Sequence, residues 1–109
     1  MKKIAVIGSG FAGLTSAIEL ASLGYDVSIY EKNSNPGGRA RKLEVNGFTF
    51  DMGPSWYWMP DVFEKFFARH GKKPEDYYNL IKLDPGFSIV FDADDKLTVP
   101  ASFDKLIQT

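Results

Sequence analysis

A chain of 109 residues with 44% apolar and 15% aromatic side chains is one small domain's worth of sequence, and that composition excludes a disordered tail. Thirteen basic and fourteen acidic residues leave a net charge of −1, which excludes the basic footprint of a nucleic-acid binder. With no cysteine there are no disulfides, thiolate chemistry or cysteine-based zinc sites, as fits a reducing compartment.

Lys2 and Lys3 precede a short apolar run, Ile4 to Ile7, which stops at Gly8 and is too short for a secretory core. No apolar stretch approaches the roughly 20 residues that span a bilayer. The expected location is the cytoplasm, with peripheral attachment to the cytoplasmic membrane face at most.

Residues 3–7 read as a buried parallel strand, being continuously apolar rather than alternating. Phe11 to Leu23 read as a helix, with Leu14, Ala17, Ile18 and Ala21 at helical spacing and Gly24 as its stop. Val27 to Tyr30 form a second strand. Asn33 to Gly38 are a loop rich in Asn, Ser, Pro and Gly. Ala40–Val45 and Phe48–Asp51 flank Asn46-Gly47, a pair that suits the two left-handed positions of a tight hairpin turn. Pro60 to His70 read as a helix, with Pro60 and Asp61 at its start, Arg69 and His70 at its end and Gly71 beyond. Val62, Phe63, Phe66 and Phe67 make its apolar face. A helical turn is expected at Pro74–Tyr78, then strands at Leu80–Leu83, Phe87–Phe91 and Lys96–Val99. Ser102 reads as a helix N-cap with Asp104 in the first turn. The composition shifts near Ser55 from Gly-rich to aromatic-rich, which suggests a functional boundary between 1–55 and 56–109.

Gly8-Ser9-Gly10-Phe11-Ala12-Gly13 is a G-x-G-x-x-G between a predicted strand and a predicted helix. Gly8 permits the turn, Gly10 lets a pyrophosphate approach the backbone, and Gly13 lets helix and strand pack closely. The helix N-terminus offers free N–H groups and a positive dipole to phosphate. Glu31 ends the second strand, where a carboxylate accepts from ribose hydroxyls and repels a 2′-phosphate, against NADP. Pro36-Gly37-Gly38-Arg39 follows. It reads either as a second close backbone approach to a long dinucleotide, with Arg39 offsetting phosphate charge, or as a Pro-Gly turn with a solvated arginine.

GSGFAGLTSAIELASLGYDVSIYEKNSNPGGRA resembles the N-terminal signature of the glutathione-reductase-like flavoproteins, which include amine oxidases, protoporphyrinogen oxidases and carotenoid desaturases. The continuation NGFTFDMGPSWYWMPDVFEKFFARHG resembles the bacterial phytoene desaturase family. The resemblance implies FAD as cofactor. It implies an α/β fold in which 1–55 begin a Rossmann-like FAD-binding domain and 56–109 begin an α+β substrate domain. It also implies a binding set of Gly8, Ser9, Gly10, Phe11, Ala12, Gly13, Glu31, Lys32, Gly37, Gly38, Arg39, Gly53, Pro54 and Ser55. The turn Phe50-Asp51-Met52-Gly53-Pro54-Ser55 is placed beside the flavin ring. Asp51 reads as an Asx-type cap or, alternatively, a base.

The implied activity is FAD-dependent desaturation of a carotenoid precursor such as phytoene, a long apolar polyene. Because such enzymes are several times longer, the expectation is an N-terminal fragment, inactive alone, with open strand edges that favour a homo-oligomer. The alternatives are an amine oxidase-like flavoenzyme or a non-catalytic fragment that oligomerises. Trp56 to Met59 suit a polyene tunnel or a membrane interface, whereas the helical phenylalanines suit ordinary core. His70 reads as a favourable helix-end cation. No residue is assigned as catalytic, and no metal site is expected: the single histidine has no companion, and the acidic turn at Asp92–Asp95 lacks the glycine and distal glutamate of a calcium loop.

Overall fold

The computed structural model describes residues 1–54 and 56–108. They fall into two compact units, the first ending at Gly71 and the second beginning at Lys72.

The first unit opens with strand β1 (Lys3–Ile7), helix α1 (Phe11–Ser22) and strand β2 (Asp26–Tyr30). β1 and β2 pair in parallel, in register from Lys3 opposite Asp26 to Ile7 opposite Tyr30. This is the expected β-α-β start, with β2 one residue longer than its apolar core. Two parallel strands need a crossover connection, and α1 supplies it. α1 ends where Gly24 takes a φ of +84°. Gly24 N–H donates to Ala21 C=O at 2.9 Å and Tyr25 N–H to Leu20 C=O at 3.2 Å, the two bonds of a Schellman stop.

Of the four apolar residues expected at helical spacing in α1, Ala17 is buried and Leu14 half-buried, whereas Ile18 and Ala21 are exposed; the helix is turned so that Gly13 and Leu20 are covered with Ala17 instead. Gly13 sets that rotation. A Cβ there would fall on the carbonyl oxygen of Gly8 and lie 3.6 Å from Val6 Cγ1, so only glycine lets the helix sit this low on β1. Ile4, Val6 and Val27 lie on that covered side and are half-buried, while Ile7 and Tyr30 on the opposite face are 81% and 60% exposed. Among the described residues only Ser9, Ala17 and, in the second unit, Pro74 are buried outright, so the apolar composition is spread over half-covered surfaces rather than gathered into a core.

The loop after β2 closes in a 3₁₀ turn, Gly38–Ala40, where strand was expected to begin; the hairpin is β3 (Lys42–Val45) and β4 (Phe48–Asp51). Gly37 and Gly38 have φ of +110° and +61°, and a chain turning through two left-handed residues cannot extend until it has passed them. Asn46 and Gly47, at φ of 50° and 79°, form the expected tight turn. Helix α2 (Pro60–Arg69) begins after Met59, itself left-handed at φ 55°, and stops before Gly71 as expected. α2 reaches the rest of the unit by edge-on packing of Phe63 against Phe11 at 5.9 Å and by Arg69 and His70, which lie 3.4 Å and 3.6 Å from Glu19 Oε1. These contacts place α2 with the first unit, so the break in compactness falls later than the compositional shift near Ser55.

In the second unit a 3₁₀ turn (Pro74–Asp76) leads to the antiparallel pair β5 (Phe87–Asp92) and β6 (Asp95–Val99), followed by helix α3 (Phe103–Ile107). The strand expected at Leu80–Leu83 is not one. It has strand composition but finds no ladder among the described residues, and β-propensity without a partner does not make a strand. β5 and β6 carry a register shift between Val90 and Asp92, which tightens their acidic turn. Ser102 stands at the N-cap position of α3 as expected, but its side chain makes no cap bond; only its carbonyl takes part, accepting from Leu106 N–H at 3.1 Å. No described helix is long and apolar enough to cross a membrane.

Candidate functional site

The turn between β1 and α1 is held from below. Gly8 N–H donates to Tyr30 C=O at 2.7 Å, so the left-handed Gly8 (φ +94°) is tied to the end of β2. Gly37 N–H donates to Ser9 C=O at 2.8 Å, which brings the second glycine pair against the first motif. A Cβ on Gly38 would stand 3.0 Å from Gly10 Cα, so the two backbones touch where neither has a side chain. Gly53 closes the third side: a Cβ there would clash with the carbonyl oxygen of Arg39. Three separate glycine segments thus converge by backbone approach.

Their meeting point opens into a cavity of about 730 Å³ lined by Gly10, Phe11, Ala12, Gly37, Gly38, Arg39, Ala40, Gly53 and Pro54. The first turn of α1 faces it. The N–H groups of Phe11, Ala12 and Gly13 have no intrahelical acceptor, and no acidic residue sits in that turn to compete for an anion. Arg39, an exposed cation on the wall, is the complementary charge for phosphate. A shallow wall of glycine backbone, a helix N-terminus and one guanidinium fit a pyrophosphate-bearing ligand by the donor set alone.

The remaining sequence-derived residues stand apart from the cavity wall. Gly8 and Gly13 shape the turn from beneath. Lys32 is exposed. Ser55 lies outside the described residues. Ala40, on the wall, was missed; alanine carries no chemical signal, and only the 3₁₀ turn places it there. Asp51 pairs with Lys42 at the end of the hairpin.

Glu31 is the most densely bonded side chain of the region. Its Oε2 accepts from Ser9 N at 2.8 Å and Ser9 Oγ at 2.7 Å; its Oε1 accepts from Asn33 N and Asn33 Nδ2, both at 2.9 Å. The backbone N–H of Asn33, then the backbone and hydroxyl of Ser9, hold the carboxyl down to about 2 from an ordinary 4.5, against the opposing effect of burial. Asn33 was also missed in the sequence, although a residue two positions beyond a carboxylate is a standard partner for local side-chain-to-backbone bonding.

The sign of this depression fixes a pH dependence. A carboxyl with a lowered folded-state value stabilises the fold fully above its ordinary 4.5 and loses that contribution as pH falls through about 2. Glu31→Gln is therefore expected to flatten the acid side of the thermal midpoint against pH curve between those limits. Parallel curves for parent and variant in that window would show that Glu31 is not held as described.

Residues 6–70 match the family described as an NAD(P)-binding Rossmann-like domain, which implies a dinucleotide cofactor. The chain is 54% identical over 105 residues, 96% of its own length, to a carotenoid 3,4-desaturase of Haloarcula japonica. It is 49% identical over 106 residues, 97% of its length, to a 4,4'-diapophytoene desaturase (4,4'-diaponeurosporene-forming) of Staphylococcus aureus. In both cases it spans 21% of the relative's length.

Proposed function

This chain belongs to the NAD(P)-binding Rossmann-like domain family, and on that premise we propose that it is the FAD-binding part of a carotenoid desaturase. The observation that carries the choice of FAD is the convergence of Gly10, Gly38 and Gly53. A nicotinamide dinucleotide needs the first glycine turn; a second and third backbone approach, continuing the wall away from the helix N-terminus, suit a cofactor that runs further along the protein. The names of the two relatives support the substrate class, a long apolar polyene.

Each residue then has a role. The first-turn N–H groups of α1 and the turn at Gly8, Gly10 and Gly13 hold the pyrophosphate, Arg39 offsets its charge, and Glu31 takes the adenosine ribose while repelling a 2′-phosphate. Gly37, Gly38, Gly53 and Pro54 wall the extended dinucleotide. Bound FAD would supply the two-electron oxidant for converting a saturated CH2–CH2 unit beside a conjugated polyene into a double bond, one hydrogen leaving as a hydride equivalent and the other as a proton. No side chain of this chain is assigned as the acid or base. Trp56, Trp58 and Met59, exposed to 51%, 71% and 61%, give an apolar approach for the polyene and a peripheral hold on a membrane interface. The functional boundary stays near Ser55, between the nucleotide-binding residues and that aromatic run.

The test is purification of the full-length protein. Flavin absorption, FAD released on denaturation and turnover of a phytoene-type polyene are expected. A protein without flavin that titrates with NADP instead would overturn the cofactor assignment, and turnover of amines but not carotenoids would move it to the amine oxidase-like alternative.

A further inference from the structure

The four hydrogen bonds on Glu31 fall into two kinds. An ionised carboxylate only accepts, and has room for about four donors, so Glu31 is full. Each oxygen holds one backbone and one side-chain donor: Oε2 has Ser9 N and Ser9 Oγ, Oε1 has Asn33 N and Asn33 Nδ2. The backbone donor of Ser9 is fixed, because Ser9 C=O is tied to Gly37 N–H at 2.8 Å and Gly8 N–H to Tyr30 C=O at 2.7 Å. The side-chain donors are not fixed: one torsion withdraws the serine hydroxyl and two withdraw the asparagine amide. Withdrawing both frees one acceptor position on each oxygen, which is what a vicinal diol needs to bind one carboxylate through two hydroxyls.

We propose that the Ser9 hydroxyl and the Asn33 amide are built-in stand-ins for the ribose diol, occupying Glu31 until a diol-bearing nucleotide exchanges with them one for one. This inference rests on the reading of Glu31 as the ribose acceptor. The exchange conserves the number of bonds on the carboxylate, so the diol's net gain is small. It also takes the hydroxyl of Ser9, a residue only 4% exposed, away from a charged acceptor. The stand-ins therefore lower the affinity for the diol, and keep the charged carboxylate and the glycine turn joined when no nucleotide is bound. Removing them should tighten diol binding. A merely supporting role would predict the opposite, because a carboxylate that loses its supports wanders.

The probes are ADP and 2′,3′-dideoxy-ADP, titrated by calorimetry into full-length protein stripped of its nucleotide. The parent is expected to prefer ADP, and Asn33→Ala to raise that preference about threefold with dideoxy-ADP unchanged; the Ser9→Ala/Asn33→Ala double variant, read only by its ratio of ADP to dideoxy-ADP affinity, should raise it on the order of tenfold. Unchanged dideoxy-ADP binding in Asn33→Ala doubles as proof that the variant folds and keeps its phosphate site. If the double variant binds neither nucleotide, Asn33→Ala alone carries the test. A preference that stays level or falls in a variant that still binds dideoxy-ADP overturns the stand-ins while leaving Glu31 as ribose acceptor. A parent that binds both probes equally overturns the ribose reading itself, and this inference with it.

Discussion

Gly53→Ala is expected to destabilise the full-length protein by roughly 3 kcal/mol and to abolish retention of the proposed flavin. Two costs add at this position. Gly53 has a φ of +100°, a backbone region that L side chains rarely occupy. Its Cβ would also clash with the carbonyl oxygen of Arg39, a backbone atom that no side-chain rotation can move aside. Overpacking alone typically costs about 1–3 kcal/mol. The relief open to the chain is to lift the segment after β4 away from the Gly38–Ala40 turn, and that movement separates Gly53 and Pro54 from Arg39 and Ala40, four residues of the cavity wall. Stability and cofactor retention should therefore fail together. Gly47→Ala is the control: φ is +79°, but nothing lies within 4 Å of its Cβ, so only the backbone cost of about 1 kcal/mol remains. Thermal midpoints and flavin content of the two purified variants decide the matter. A Gly53→Ala protein no less stable than Gly47→Ala, with its flavin in place, would mean that the glycine segments do not converge as described.

The elements whose causes are local were legible in the sequence. Gly24 stops α1 through its own left-handed φ, Asn46-Gly47 turns the hairpin through theirs, and Pro60 with Gly71 brackets α2. The glycine motif at 8–13 and the glycine pair at 37–38 were legible as backbone approaches because a missing side chain is visible in a sequence. What approaches them was not. That Gly38 meets Gly10 and Gly53 meets Arg39 depends on how three segments fold back on one another, and no spacing rule encodes it. Leu80–Leu83 was misread for the converse reason, since its composition suits a strand but a ladder needs a second chain segment. Glu31 was legible as an acceptor from its place after β2. Its occupancy by Ser9 and Asn33 was not, because the tight parallel register of β1 and β2 is what brings the serine within 2.7 Å.

Reversing the charge at position 31 should have the largest effect on ligand choice. Glu31→Arg removes the carboxylate that accepts from the four donors of Ser9 and Asn33 and replaces it with a cation that can only donate. Each ribose bond is made in exchange for one from Ser9 or Asn33, so losing both should weaken ADP binding by about tenfold rather than by the full worth of two charge-assisted bonds. The same change removes the repulsion of a 2′-phosphate and supplies a guanidinium that pairs with it. 2′-Phospho-ADP, which the parent is expected to bind worse than ADP, should therefore bind the variant better than ADP does. Glu31→Gln separates the two effects: it removes the charge, so the 2′-phosphate is no longer repelled, but offers no cation to hold it. Affinities for the two nucleotides should consequently rank in opposite order in the parent and Glu31→Arg, with Glu31→Gln between them. A parent protein that already prefers 2′-phospho-ADP would show that Glu31 does not face the ribose, and the site would then have to be read as one for a phosphorylated nicotinamide dinucleotide instead of FAD.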